Sequence, residues 1–273
     1  MTKRPQLSAS VDTKERMTKI LVLSDLHCGA TSGLTPPGFM SDQYSEIQVP
    51  FWDWFSIQIA NYAPFDYLLG LGDFTDGEGK KGTLDTCIND VRKQAKAAAS
   101  VLASTSVPND RIHLVRGTPF HSAGTSEYED HITDLLPGAS IKNVQKLEIE
   151  GWKIHARHVQ GRSDVPYGQG TPLLKELARM EHEAFRDTKD APDILLRGHV
   201  HYSAHVGKHG RLAISCPCLQ LPISESNGRR YSAWEYDVGF GVLTLERDRE
   251  PIWQPVLMEM RIIRDEGYEV IDA

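Results

Sequence analysis

No run in this chain of 273 residues approaches the roughly 18–20 apolar residues that a membrane-spanning helix needs, so no membrane partner is expected. Residues 1–17 are polar and mixed in charge with no apolar centre. That pattern excludes a secretory signal and reads as a flexible tail ahead of one domain over 18–273. An excess of basic residues is also lacking. Thirty Lys and Arg stand against 37 Asp and Glu, a formal charge of −7. This argues against a broad face that holds nucleic acid by counterion release, though bound cations would still recruit a phosphate. Cysteine is scarce. Cys28, Cys87, Cys216 and Cys218 form no C-x-x-C pair, which points to reduced thiols and a cytoplasmic protein. Internal repeats, low-complexity tracts and an H-E-x-x-H zinc motif are all missing. What is present is an ordinary globular composition, 40% hydrophobic and 25% charged, sufficient for a substantial core.

Short apolar runs mark buried strands at Ile20-Leu21-Val22-Leu23, Tyr67-Leu68-Leu69-Gly70-Leu71, Ile112-His113-Leu114-Val115 and Ile194-Leu195-Leu196-Arg197. A hairpin is expected from 146–150 and 152–158, turning at Glu150-Gly151. Helices are predicted over 51–60, 83–104 and 127–136, and from Thr171-Pro172 onward. Leu84, Cys87, Ile88, Val91, Ala95, Ala98 and Leu102 supply the apolar face of the second. After Arg211, alternating runs such as Trp234-Glu235-Tyr236 and Val242-Leu243-Thr244-Leu245 suggest antiparallel strands. Strand and helix alternate early and strands dominate late. This fits an α/β fold with two packed sheets and helices outside them.

The polar clusters share one location. Asp25-Leu26-His27, Gly72-Asp73, Gly117-Thr118, His158 and His199-Val200-His201 each follow the carboxyl end of an apolar strand. Loops from several strands converge at that edge of an α/β sheet. Carboxylate oxygens and imidazole nitrogens suit Mn, Fe or Zn. In D-x-H and H-x-H, an extended backbone would set both side chains on one face. Glycines before Asp73, Thr118 and His199 would allow tight turns there. His155 competes with His158 for the middle position. Each piece occurs by chance in many chains; five in this order, all at strand ends, do not.

In this order the motifs resemble the calcineurin-like metallophosphoesterase superfamily, over roughly residues 19–202. The resemblance implies a four-layer αββα sandwich of two mixed sheets. It assigns Asp25, His27, Asp73 and His201 to one divalent ion and Asp73, His158 and His199 to a second, with Asp73 bridging. Manganese is the first expectation, with iron, zinc or nickel as alternatives. Asp76 would support its loop without binding metal.

One segment departs from the family pattern. Gly117-Thr118-Pro119-Phe120-His121 stands where Gly-Asn-His is usual. Thr118 would replace the Asn ligand, directly or through water, and His121 would fold back as the acid that protonates the leaving group; the other reading leaves His121 on a loop and the second ion weak or absent. Arg162 is a candidate contact for a substrate phosphate. The expected activity is phosphoester hydrolysis by a metal-bridging hydroxide, with a lean to phosphodiesters of nucleotides or nucleic acids. A phosphomonoesterase or protein phosphatase, and a degenerate scaffold without catalysis, are the alternatives.

Overall fold

The structure is a computed structural model that describes residues 17–77, 86–119, 121, 127–163, 165–187, 190–208, 210–222 and 236–259. The expected tail, apart from Met17, lies outside these residues, as do Trp234 and Glu235 of one expected strand.

Two sheets form the centre. The first holds β1 (Thr18–Leu23), β2 (Tyr67–Gly70), β3 (Ile112–Val115), β4 (Ser140–Lys142), β10 (Gly239–Leu245) and β11 (Ile252–Leu257), in the order β11-β10-β1-β2-β3-β4. Strands β1 to β4 run parallel, and β10 and β11 add antiparallel edges. The second sheet holds β5 (Gln145–Ile149), β6 (Trp152–Arg157), β7 (Ile194–Arg197), β8 (Ala204–Gly207) and β9 (Leu212–Ser215), in the order β5-β6-β7-β9-β8. Its central strands β6, β7 and β9 are parallel.

Strand alternation sorts the apolar residues into layers. Ile20 and Val22 of β1, Leu69 of β2, Ile154 of β6 and Leu196 of β7 meet in one cluster between the sheets. Leu21 and Leu23, one residue out of phase, face outward onto Phe51 and Phe55 of α1 (Ser45–Tyr62), Ala98 of α2 (Val91–Ser104) and Ile132 of α3 (Glu127–Leu135). On the far side, Leu195 of β7 packs on Leu173 and Leu177 of α4 (Thr171–Asp187). The result is the expected αββα sandwich of two mixed sheets.

Two helix boundaries differ from the expectation. Helix α2 starts at Val91, because the Asp90 side chain caps it by accepting the N–H groups of Arg92 and Lys93; of the helix expected from 83, residues 83–85 lie outside those described. Cys87 and Ile88 donate instead to the carbonyl of Gly29 in a non-helical segment. Helix α1 begins six residues earlier than expected, with Pro50 inside it. A proline this near the start forfeits one helical hydrogen bond without ending the helix.

Candidate metal centre

The parallel strands β1, β2 and β3 of one sheet and β6 and β7 of the other end at one cluster, where Asp25, His27, Asp73, Thr118, His158, His199 and His201 come together. Pairing persists past the strand ends. Asp25 N–H donates to Gly72 O, His27 N–H to Asp73 O, and Gly198 N–H to His158 O, each at 3.0 Å.

The backbone does not stay extended there. Asp25, His27, Asp73, His199 and His201 have φ of 52°, 45°, 49°, 77° and 61°. They are five of the eight non-glycine residues with positive φ among the described residues. The left-handed region is uncommon for such residues and costs on the order of 1–3 kcal/mol each, so the surrounding structure must hold all five in place. This corrects the expectation for D-x-H and H-x-H: left-handed kinks, not strand alternation, turn both members into one cavity. Glycine also acts differently than expected at two positions. A Cβ on Gly117 would lie 2.1 Å from Asp73 Oδ1, and one on Gly198 would lie 2.1 Å from Ser24 Oγ. Close approach, not turn geometry, demands glycine there.

Each aspartate ties one oxygen to protein and turns the other to histidines. Asp25 Oδ2 accepts from Ser24 Oγ and from His199 N–H, while Oδ1 faces His201 Nε2 at 3.2 Å and His27 Nε2 at 3.9 Å. Asp73 Oδ1 accepts from Thr118 N–H at 2.6 Å and sits 3.1 Å from Thr118 Oγ1. Its Oδ2 faces His158 Nε2 at 3.0 Å and His121 Nε2 at 4.0 Å. The second nitrogen of His158 donates to Leu71 O, which fixes its Nε2 toward Asp73. His27 Nδ1 lies 3.3 Å from Asp76 Oδ1.

Three trios of donor atoms lie within 4.8 Å of one another among the described residues: Asp25, His27 and His201; Asp73, His158 and His199; and His27, Asp73 and His121. Asp25 Oδ1 and His158 Nε2 belong to buried residues, and each faces a partner in the cluster, His201 Nε2 at 3.2 Å and Asp73 Oδ2 at 3.0 Å. Convergent oxygen and nitrogen donors of this kind suit divalent cations. His27 Nε2 and His201 Nε2 stand 3.4 Å apart, close enough for both to reach one shared cation.

The electrostatics agree. Burial alone would raise both aspartates, yet the facing histidines, His201 for Asp25 and His158 for Asp73, hold them below the ordinary carboxylate range. Burial depresses His158, but Asp73 overrides it and pushes the imidazole up to about 9. His201 is likewise raised, against burial, by Cys218 and Asp25. The carboxylates draw positive charge into the cavity.

His121 reaches the cluster edge-on to His27, with ring centroids 4.5 Å apart. Its Nδ1 lies 3.1 Å from Asp76 O and 3.6 Å from Asp76 Oδ1. Burial lowers this imidazole and the Asp76 and Asp73 carboxylates more than compensate, so its pKa is raised. His155, by contrast, joins none of the trios. Its Nδ1 is 3.2 Å from Arg197 Nη2, and burial with that guanidinium drives it down to about 4. Arg162 is exposed on the loop that leaves His158.

Several supporting residues carry no sequence signal. Buried Gln94 of α2 accepts the N–H groups of Asp76 and Gly77 at 3.0 and 2.9 Å, holding the Asp76 loop. Buried Glu129 of α3 accepts from Phe74 and Gly117. Burial and nearby Asp73 push its carboxyl up to about 7, against the pull of those two N–H groups. Tyr202, directly after His201, takes the N–H of Ser163 on its hydroxyl at 3.4 Å, and so ties the 159–170 loop to the H-x-H segment.

Comparison with known protein families finds no match, and comparison with curated proteins finds none. Among solved structures, similar chains include an archaeal phosphodiesterase, 12% identical, with 88% of this chain and 100% of that chain covered at a TM-score of 0.46. Vps29 from Chaetomium thermophilum is 14% identical, with 88% and 95% covered and a TM-score of 0.46. Zinc-complexed Vps29 from Entamoeba histolytica is 15% identical, with 88% and 99% covered and a TM-score of 0.41. No helix among the described residues is long and apolar enough to cross a membrane.

Proposed function

We propose that this chain hydrolyses phosphate esters, foremost phosphodiesters of nucleotides or nucleic-acid ends, with two divalent cations in the cavity around Asp73. The observation that carries the reading is the pair of trios that share Asp73, one with His158 and His199 and one with His27 and His121, beside a third made of Asp25, His27 and His201. Two ions so held would polarise the phosphate oxygens and make a water acidic enough to give hydroxide near neutral pH. Manganese is proposed first, with iron, zinc or nickel next.

The protein's own part is to place the reacting groups. Asp73, with Oδ1 anchored on Thr118 N–H, presents Oδ2 toward both sides of the cluster. His121, whose protonated form Asp76 and Asp73 favour, is placed to give a proton to the departing ester oxygen. Arg162, exposed four residues after His158, is proposed to meet a substrate phosphate. Thr118 stays close to Asp73 and would reach an ion only through its hydroxyl or a water.

A second reading, a scaffold without catalysis, is favoured by one observation: the Thr118 hydroxyl lies against both Asp73 oxygens, at 3.1 and 3.3 Å, which leaves the His158 side a donor poorer. Metal analysis of purified protein, with hydrolysis of bis-p-nitrophenyl phosphate under Mn, Zn, Co and Ni, separates the two. Two equivalents of metal with turnover support the hydrolase. Metal-free protein inert with every ion would leave the scaffold.

A further inference from the structure

Helix α3 sends Glu129 beneath the two loops that carry Asp73 and Thr118. The side chain is buried, and each carboxylate oxygen takes one backbone N–H: Oε1 from Phe74 at 3.0 Å and Oε2 from Gly117 at 2.7 Å. Phe74 follows Asp73 directly, and Gly117 directly precedes Thr118. Strand pairing has already ended at this point, since β2 and β3 pair last at Gly70 and Leu114. Glu129 takes over where the ladder stops.

The clamp acts on a junction without slack. Gly117 packs so closely on Asp73 that even a Cβ would collide with Oδ1. Thr118 N–H holds that same oxygen at 2.6 Å. Any movement of the Gly117–Thr118 peptide against Phe74 therefore passes straight to the Asp73 carboxylate, and so to Oδ2 facing His158 and His121.

We propose that Glu129 is a positioning residue of the metal centre: by bracketing the peptides beside Asp73 and Thr118, it sets where Asp73 holds its free oxygen between the two ion sites. This rests on the reading of the cavity as a two-cation centre. A carboxylate that only stabilised the fold would look alike in a static contact map, so the test must read the ions themselves.

Glu129→Gln keeps the size but offers one acceptor and turns an NH2 group toward the other N–H. Calorimetric Mn(II) titration, the EPR spectrum of the loaded protein and thermal unfolding are measured for wild type and variant. Wild type is expected to bind two Mn(II) with a spin-coupled spectrum. The folded variant should bind the second ion about 10–100-fold more weakly, the range for groups that orient ligands, and lose the coupled signal. If the variant melts earlier but matches wild type in both affinities and spectrum, Glu129 serves the fold alone and the proposal is overturned. Wild type that binds no Mn(II) would bring down the two-cation reading and this inference with it. Should Glu129→Gln not fold, Glu129→Asp answers in its place: it keeps both acceptors on a shorter arm, and unchanged ion binding in it overturns the proposal equally.

Discussion

Asp73 divides its carboxylate, with Oδ1 held by Thr118 N–H at 2.6 Å and Oδ2 standing 3.0 Å from His158 Nε2. The amide fixes one oxygen, and the other faces His158 with the Thr118 hydroxyl 3.3 Å away. Asp73→Asn keeps the Thr118 contact and removes the charge. We expect this variant to lose at least one ion by metal analysis. Its turnover should fall roughly a thousandfold or more, since a single electrostatic contact to the transition state is worth about 10²–10³. Near-normal turnover would end the two-cation reading.

His121 occupies the edge of the cluster, backed by Asp76. If it protonates the leaving group, His121→Ala should spare metal content and act through chemistry alone. Loss is then expected to be about 10²–10³-fold for alkyl esters and far smaller for p-nitrophenyl esters, whose leaving group needs little protonation. Asp76 and Asp73 raise the pKa of His121 against burial, so the fall in activity on the alkaline side should come above the ordinary imidazole value of 6.5. Equal losses on both ester classes, or loss of metal, would assign His121 to ion binding in the His27 and Asp73 trio.

A phenol helps to hold the loop after His158, beside the bond from Gln160 Nε2 to Ser215 Oγ. Tyr202 OH receives Ser163 N–H at 3.4 Å and approaches Gln169 O at 3.5 Å. Tyr202→Phe removes both contacts and leaves the ring packed. A net hydrogen bond is worth about 1 kcal/mol, so KM should rise about fivefold with kcat nearly unchanged. A fall in kcat with constant KM would show that the hydroxyl serves His201 rather than the loop.

The candidate ligands were legible because each follows an apolar strand, and a strand end is a local pattern. His158 was separable from His155 only by position after β6; the structure shows the difference, one facing Asp73 and the other Arg197. The left-handed turns at Asp25, His27, His199 and His201 were not legible, since the modest enrichment of Asp and His at φ > 0 does not outweigh an extended reading at a strand end. The start of α2 was written locally in Asp90 but was masked by the apolar spacing of Leu84, Cys87 and Ile88. Glu129 and Gln94 act on loops 55 and 18 residues away. Nothing in their neighbourhood distinguishes them from solvated helix positions.

Arg197 carries the last prediction. Its side chain is fully buried in the strand before Gly198 and His199, and Glu176 of α4 meets it with both oxygens at 3.0 and 2.8 Å. Glu176 also receives Arg157, the residue before His158, at 3.0 Å. Glu176→Gln would leave the Arg197 charge buried without compensation, a loss of about 3–5 kcal/mol for a broken buried pair. Burial alone would raise the Glu176 pKa, but Arg197 and Arg157 hold it below its ordinary 4.5. A carboxyl depressed in the folded state contributes its stability above the unfolded pKa and loses it as pH falls through the folded one. The gap in unfolding free energy between wild type and Glu176→Gln should therefore be full at neutral pH, hold to about pH 5, and close as the solution is acidified below about pH 4. Urea melts of both proteins across that range measure it. A gap independent of pH would mean that Glu176 contributes packing and not charge.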